Sequence, residues 1–194
     1  MSSKTDAYIV PFDELKRAAG SRDKTLLAGV VDEFGWMLEE ADGNREEDEE
    51  LTCLEAVTAI INGKNLSRLP RHLRSMYGYA LEAICARIGG FVGEIQGEWS
   101  DLLDEFFAEH GVPLSFSDLV NGDTVIGLPQ PEFHPEIGSW TPAEVAAAVE
   151  PLEQLDPEAL TDGDEEMAGV VIEVRSWVVG AHRRGYGMMA FSIP

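Results

Sequence analysis

The sequence is poor in cysteine and in positive charge. Cys53 and Cys85 are the only cysteines among 194 residues, which excludes a disulfide-rich scaffold and a cysteine-based metal site. Lysine and arginine total 14 against 36 aspartate and glutamate residues, so the formal net charge is −22 at pH 7. Such a charge repels nucleic acid and anionic membrane surfaces, and we predict neither as a partner.

Long apolar runs are also missing. No stretch approaches the roughly 18 apolar residues that read as a membrane-spanning helix. Residues 1–7 contain no apolar core of a secretory signal. We therefore predict a cytoplasmic protein whose two thiols stay free in a reducing compartment.

Signatures of catalysis and of cofactor binding are absent from the sequence. The four histidines form neither a His-Glu-x-x-His motif nor a Cys/His cluster, so we predict no metal site. There is no Gly-x-Ser-x-Gly nucleophile elbow, and the glycines at 89–97 follow a predicted helix, whereas a dinucleotide fingerprint follows a strand. We predict no catalytic residue and no cofactor. Enzymatic activity is left open, with binding favoured.

The chain does contain several segments with an amphipathic helical pattern. Apolar residues recur at helical spacing in several segments, most clearly over 71–88, where Gly89 and Gly90 mark the helix end. Residues 141–144 (Thr-Pro-Ala-Glu) form a capping box with proline at the first helical position. These patterns predict five to six amphipathic helices.

Short apolar runs near both ends predict strands, at 7–10 and 188–193. A lone strand leaves its backbone groups without partners, so we expect these two to pair, with 124–126 as a candidate third strand. The predicted fold class is α+β and predominantly helical, with a small sheet formed by the N- and C-terminal strands. No internal repeat or linker is apparent, which favours a single domain over residues 1–194.

Acidic residues cluster at 39–50, which holds eight acids and one base and is predicted to be exposed to solvent. Residues 64–74 reverse the charge, with four bases and no acid; they would bind an anion or neutralise the acidic segment. The leading hypothesis is an acidic protein-binding or regulatory module, similar to an immunity protein or antitoxin, that engages a basic protein. Its candidate contact residues are Glu46, Glu47, Asp48, Glu49 and Glu50.

The alternative hypothesis is a small-molecule-binding protein or a weak enzyme. Its pocket would lie between the 71–88 helix and the 128–140 loop, because long irregular loops in compact domains are often functional. Tyr79 and Glu82 would line it from the helix, and His134 and Trp140 from the loop. Ordinary packing explains the same residues, with the tyrosine hydroxyl bonded at the rim of the core. The sequence does not indicate the oligomeric state.

Three stretches are similar to an uncharacterised bacterial family, a domain of unknown function found mainly in actinobacteria and other high-GC bacteria. They are YGYALEAIC at 77–85, LPQPEF at 128–133 and IGSWTPAE at 137–144, together with the ending GYGMMAF at 185–191. The resemblance covers nearly the whole chain, which supports one domain, and it implies no activity or site residue. The acidic segment at 39–50 departs from the expected family pattern and is interpreted as a local elaboration.

Overall fold

The computed structural model describes residues 4–43, 51–156 and 164–193. Within these ranges the chain forms four strands and eight α-helices. The strands are β1 Lys4–Val10, β2 Gly90–Gln96, β3 Glu136–Trp140 and β4 Gly187–Ile193. The helices are α1 Phe12–Ala18, α2 Lys24–Gly43, α3 Cys53–Ile61, α4 Arg74–Ile88, α5 Ser100–Glu109, α6 Phe116–Asn121, α7 Pro142–Gln154 and α8 Glu165–Arg184.

The strands form one antiparallel sheet in the order β2-β1-β4-β3. The first and last strands pair along their whole length, from Lys4 opposite Ile193 to Val10 opposite Gly187. The predicted pairing of the terminal strands is therefore confirmed, and these two strands form the centre of the sheet. Their long-range pairing joins the first and the last described segments of the chain.

Helices cover both faces of the sheet. Tyr8, Val10 and Phe191 point into a core built with α1–α4, whereas Ala7 and Ile9 point into a second core built with α5–α8. Successive side chains of a strand point to opposite faces, so a strand buried on both sides reads as a continuous apolar run. That is why β1 and β4 were recognisable from the sequence.

The structure corrects the predicted element count and the predicted sheet. The described residues contain eight α-helices, where five to six were predicted. The sheet contains two strands from the middle of the sequence, β2 and β3, besides the two terminal strands. The glycine-rich stretch at 90–96, for which no strand was predicted, is an edge strand paired with β1. The other edge is β3, whereas residues 124–126 form a turn.

Helix α4 is the central element of the first core, and the helix predicted over 71–88 is confirmed from Arg74 to Ile88. It packs against α2, α3 and the sheet, and its buried residues run almost without interruption from Met76 to Cys85. The capping box of α7 is also confirmed, because Thr141 accepts a hydrogen bond from the Glu144 amide and the Glu144 side chain accepts one from the Thr141 amide. None of the described helices is long and apolar enough to cross a membrane.

Candidate functional site

A cavity of about 390 Å³ lies between α2, α4 and the sheet face that they cover. We call it the α2–α4 cavity. Strand residues form its floor, and the two helices form its walls. It is lined by Lys4, Asp6 and Tyr8 of β1, Phe91 of β2, Ile193 of β4, Phe34, Trp36, Met37, Glu40 and Ala41 of α2, and Tyr79, Glu82 and Ala86 of α4.

The alternation of β1 brings three polar side chains to the cavity floor. Lys4, Asp6 and Tyr8 are spaced by two residues and therefore share the face that α2 and α4 cover. On the neighbouring strand, Glu94 lies opposite Asp6 in the antiparallel register. The floor of the cavity therefore carries an ammonium, a carboxyl and a hydroxyl group from one strand.

Glu82 is a carboxyl group enclosed in the first core. Its residue is 4% exposed, and Tyr8 donates a hydrogen bond from Oη to Glu82 Oε1 at 2.9 Å. Burial raises the pKa of Glu82 from 4.5 to about 7; the Tyr8 hydrogen bond opposes this rise, and the nearby Asp6 carboxylate adds to it. Glu82 therefore changes charge near neutral pH.

Tyr8 remains a hydrogen-bond donor throughout the physiological pH range. Burial, reinforced by the charge of Glu82, raises the pKa of its phenol far above the usual value. The Tyr8 ring makes edge contacts at 5.7 Å with Phe91 and with Phe191, which fix its position on the sheet. The hydroxyl is thereby held toward Glu82.

Asp6 is the second buried carboxyl group of the cavity, with 7% of the residue exposed. Lys4 Nζ lies 3.0 Å from Asp6 Oδ2 and 3.3 Å from Glu94 Oε2. Asp6 Oδ1 is buried and has no hydrogen-bond partner among the described residues. Burial raises the pKa of Asp6, and the Lys4 ammonium opposes that rise. One oxygen of a buried carboxyl group is thus left without a donor.

Aromatic side chains line the wall and the mouth of the cavity. Trp36 is 62% exposed and Phe91 is 55% exposed, although both residues line it. Within α2 the backbone leaves helical geometry at Phe34 (φ −124°, ψ 16°), so the helix kinks beside the cavity. Large aromatic groups exposed next to a cavity are typical of a ligand-binding surface.

The charges that line the cavity favour a positively charged ligand. Three acids, Asp6, Glu40 and Glu82, face it against one base, Lys4. Aromatic faces attract cations through the ring quadrupole, and carboxylates attract them directly. No group of three or more His, Cys, Asp or Glu side chains in the described ranges is placed to hold a metal ion.

Both cysteines lie in surroundings that disfavour a reactive thiolate. Both are free and buried, as inert core thiols would be. Burial raises the pKa of Cys53 to about 12 and the pKa of Cys85 well above its ordinary value. A thiolate is therefore disfavoured at both positions.

Two of the four predicted pocket residues meet in this cavity, and two do not. Tyr79 and Glu82 line it, but the wall facing them is α2 and not the 128–140 loop. Trp140 is buried in the second core, where its indole N–H donates to the Ser115 carbonyl at 2.8 Å. His134 lies in the loop and is not among the residues that line the cavity.

Asp6 and Tyr8 line the cavity but are not among the pocket residues predicted from the sequence. A signal was available, because Lys4, Asp6 and Tyr8 stand at every second position of the segment that leads into Ile9 and Val10. That alternation identifies one strand face as polar at its beginning. The partner strands and helices that enclose this face are distant in sequence, so the sequence did not show that the carboxyl groups would be buried.

The two predicted charged segments have different outcomes. The candidate contact residues Glu46–Glu50 lie outside the described residues. In the basic segment, Arg74 donates to the Gln130 carbonyl at 3.2 Å, and Arg71 lies 4.0 Å from Glu132. These two arginines therefore contact the 128–140 loop.

Comparison of the chain with curated proteins and with solved structures found no match to either. A family match does exist and spans nearly all of the sequence, including every residue that lines the cavity except Ile193. Over residues 1–192 the chain matches the family described as Domain of unknown function (DUF7691), and it belongs to that family.

Proposed function

We propose that this protein binds a small organic cation in the α2–α4 cavity. The observation that carries the proposal is a buried carboxyl group, Asp6, with one oxygen lacking a donor, beside Glu82 and beneath aromatic walls. The volume of about 390 Å³ lies within the range of about 300–1,000 Å³ that is usual for small-molecule sites. This supports the alternative hypothesis of a small-molecule pocket beside α4. The pocket lies between α4 and α2, however, and not between α4 and the 128–140 loop.

A cation fits this cavity better than an anion or a neutral molecule. An anion would meet three acids and the field of a protein with net charge −22. A neutral apolar ligand would displace water from Asp6 and Glu82 without compensating their charge, which is costly. A cation replaces the lost hydration and gains attraction from the aromatic faces.

The test compares three probes that share one carbon skeleton. Phenethylamine, 2-phenylethanol and phenylacetate are cationic, neutral and anionic at pH 8. We expect only phenethylamine to shift the fluorescence of the protein, because Trp36 lies at the mouth, and to raise the thermal midpoint. At 100 times the dissociation constant, the stabilisation would be about 2.7 kcal/mol.

The Asp6→Asn and Glu82→Gln variants locate the binding. Both should weaken phenethylamine binding, whereas Glu98→Gln removes the same charge from an exposed loop position and should leave it unchanged. Equal binding of the alcohol, or stronger binding of phenylacetate, would contradict a cation site. Unchanged affinity in Asp6→Asn would place the ligand elsewhere.

A second candidate function, binding of a basic protein, rests on the net charge of −22. A field of this strength accelerates association with a basic partner and makes it sensitive to salt. Affinity capture at low and high salt, with Glu46–Glu50 changed to the matching amides as the comparison, tests it. A basic protein that is captured at low salt and lost in the variant is the expected result. We also propose that the protein is cytoplasmic and that it comes from an actinobacterium or another high-GC bacterium.

A further inference from the structure

Asp6 brings a carboxyl group to the α2–α4 cavity, and this limits the kind of cation that fits. Asp6 Oδ1 is buried and lacks a donor in the described structure, while Asp6 Oδ2 is shared with Lys4. A quaternary ammonium carries charge but no N–H group, so it would leave Oδ1 unpaired. An unpaired buried carboxylate oxygen costs more than an unpaired neutral acceptor, and an ammonium or guanidinium head removes that cost.

Lys4 already places an ammonium group at this carboxyl group, and it has a second partner. Its Nζ is 3.0 Å from Asp6 Oδ2 and 3.3 Å from Glu94 Oε2, and the Glu94 side chain is 47% exposed. Lys4 can therefore give up Asp6 and keep a salt bridge at the more solvated carboxylate. If a ligand replaces Lys4 at Asp6, Lys4 still has Glu94 as a counter-ion.

Building on the proposed function, we infer that the ligand of the α2–α4 cavity carries a primary ammonium or guanidinium head that replaces Lys4 on Asp6. Lys4 holds the site in the empty protein and moves to Glu94 when the ligand enters. The head group donates N–H hydrogen bonds to both Asp6 oxygens. The aromatic side chains Phe34, Trp36 and Phe91 cover the apolar part of the ligand.

The experiment compares phenethylamine with its N,N,N-trimethyl derivative, which has the same skeleton and charge but no N–H donor. The intact protein should bind the primary amine at least about tenfold more tightly, because only that probe can pair with Asp6. Asp6→Asn should abolish this preference, and Glu98→Gln should retain it. Isothermal calorimetry provides the dissociation constants for both probes.

The Lys4→Met variant tests the displacement independently of Asp6. Methionine keeps an unbranched apolar side chain but removes the competing ammonium, so phenethylamine should bind several-fold more tightly than in the wild type. Weaker binding in this variant would show that Lys4 assists the ligand and would overturn the displacement.

The outcomes separate this inference from the proposed function. If both probes bind equally, or the trimethyl probe binds more tightly, the head-group inference is wrong and the cation site stands. If neither probe binds, the cation site itself is wrong, and the inference fails with it.

Discussion

Glu82 couples the stability of the fold to pH. Burial raises its pKa from 4.5 to about 7, so the folded protein holds a proton that the unfolded chain releases across this interval. A group with a raised folded pKa contributes stability that is complete below the unfolded pKa and is lost as pH rises through the folded pKa. For Glu82 the loss therefore occurs from about pH 4.5 to somewhat above pH 7.

We expect the Glu82→Gln variant to lose this pH dependence. Relative to the variant, the wild type should lose up to about 3 kcal/mol of unfolding free energy between pH 5 and pH 8, since each pKa unit corresponds to about 1.4 kcal/mol. Urea unfolding of both proteins at the two pH values measures the difference, and the many other acids cancel in the comparison. A difference that does not change with pH would show that Glu82 ionises normally in the fold.

At the scale of elements, β3 approaches α6 so closely that only glycine fits at position 138. A Cβ atom there would meet the backbone carbonyl oxygens of Asp118 and Leu119 at the end of α6. Neither carbonyl can move without disturbing the helix end. The edge strand β3 is therefore held by a backbone-to-backbone contact that no larger residue permits.

Alanine substitutions at two glycines test this contact. Gly138→Ala should destabilise the protein by about 2–3 kcal/mol, as overpacking in a rigid setting does. Gly169→Ala is the matched control, because it lies exposed in α8 with open space around its Cβ position, and it should stabilise by roughly 0.5–1 kcal/mol. Chemical denaturation resolves both changes. A neutral effect at Gly138 would mean that β3 can shift away from α6.

Elements with a strong local signal were predictable, and those defined by distant partners were not. The periodicity of 71–88 and the capping box at Thr141 are local features, and both are present in the structure. The strands β2 and β3 carry glycine and follow a helix end or a proline-rich loop, so only pairing with β1 and β4 makes them strands. The cavity depends on the same long-range packing, which explains why the sequence pointed to Tyr79 and Glu82 among its lining residues but not to Asp6 and Tyr8.

At the scale of the whole molecule, the dominant property is the net charge of −22. Like charges spread over a compact domain repel one another and weaken the folded state relative to the expanded unfolded chain. The same field draws cations toward the α2–α4 cavity, since three of its lining residues are acids. Acidity thus opposes stability while it favours the proposed ligand.

Salt should therefore stabilise this protein. Raising NaCl from about 0.05 M to about 0.5 M shortens the Debye length from roughly 14 Å to roughly 4 Å, so repulsion between distant acids is screened. A gain on the order of 1 kcal/mol would raise the thermal midpoint by about 2–4 °C in a protein of this size. Changing Glu46–Glu50 to the matching amides removes five negative charges, from −22 to −17, and should reduce the gain. Scanning calorimetry of both proteins across the salt series measures the thermal midpoints. A midpoint of the wild type that stays constant or falls with salt would show that the acids are already compensated in the folded state.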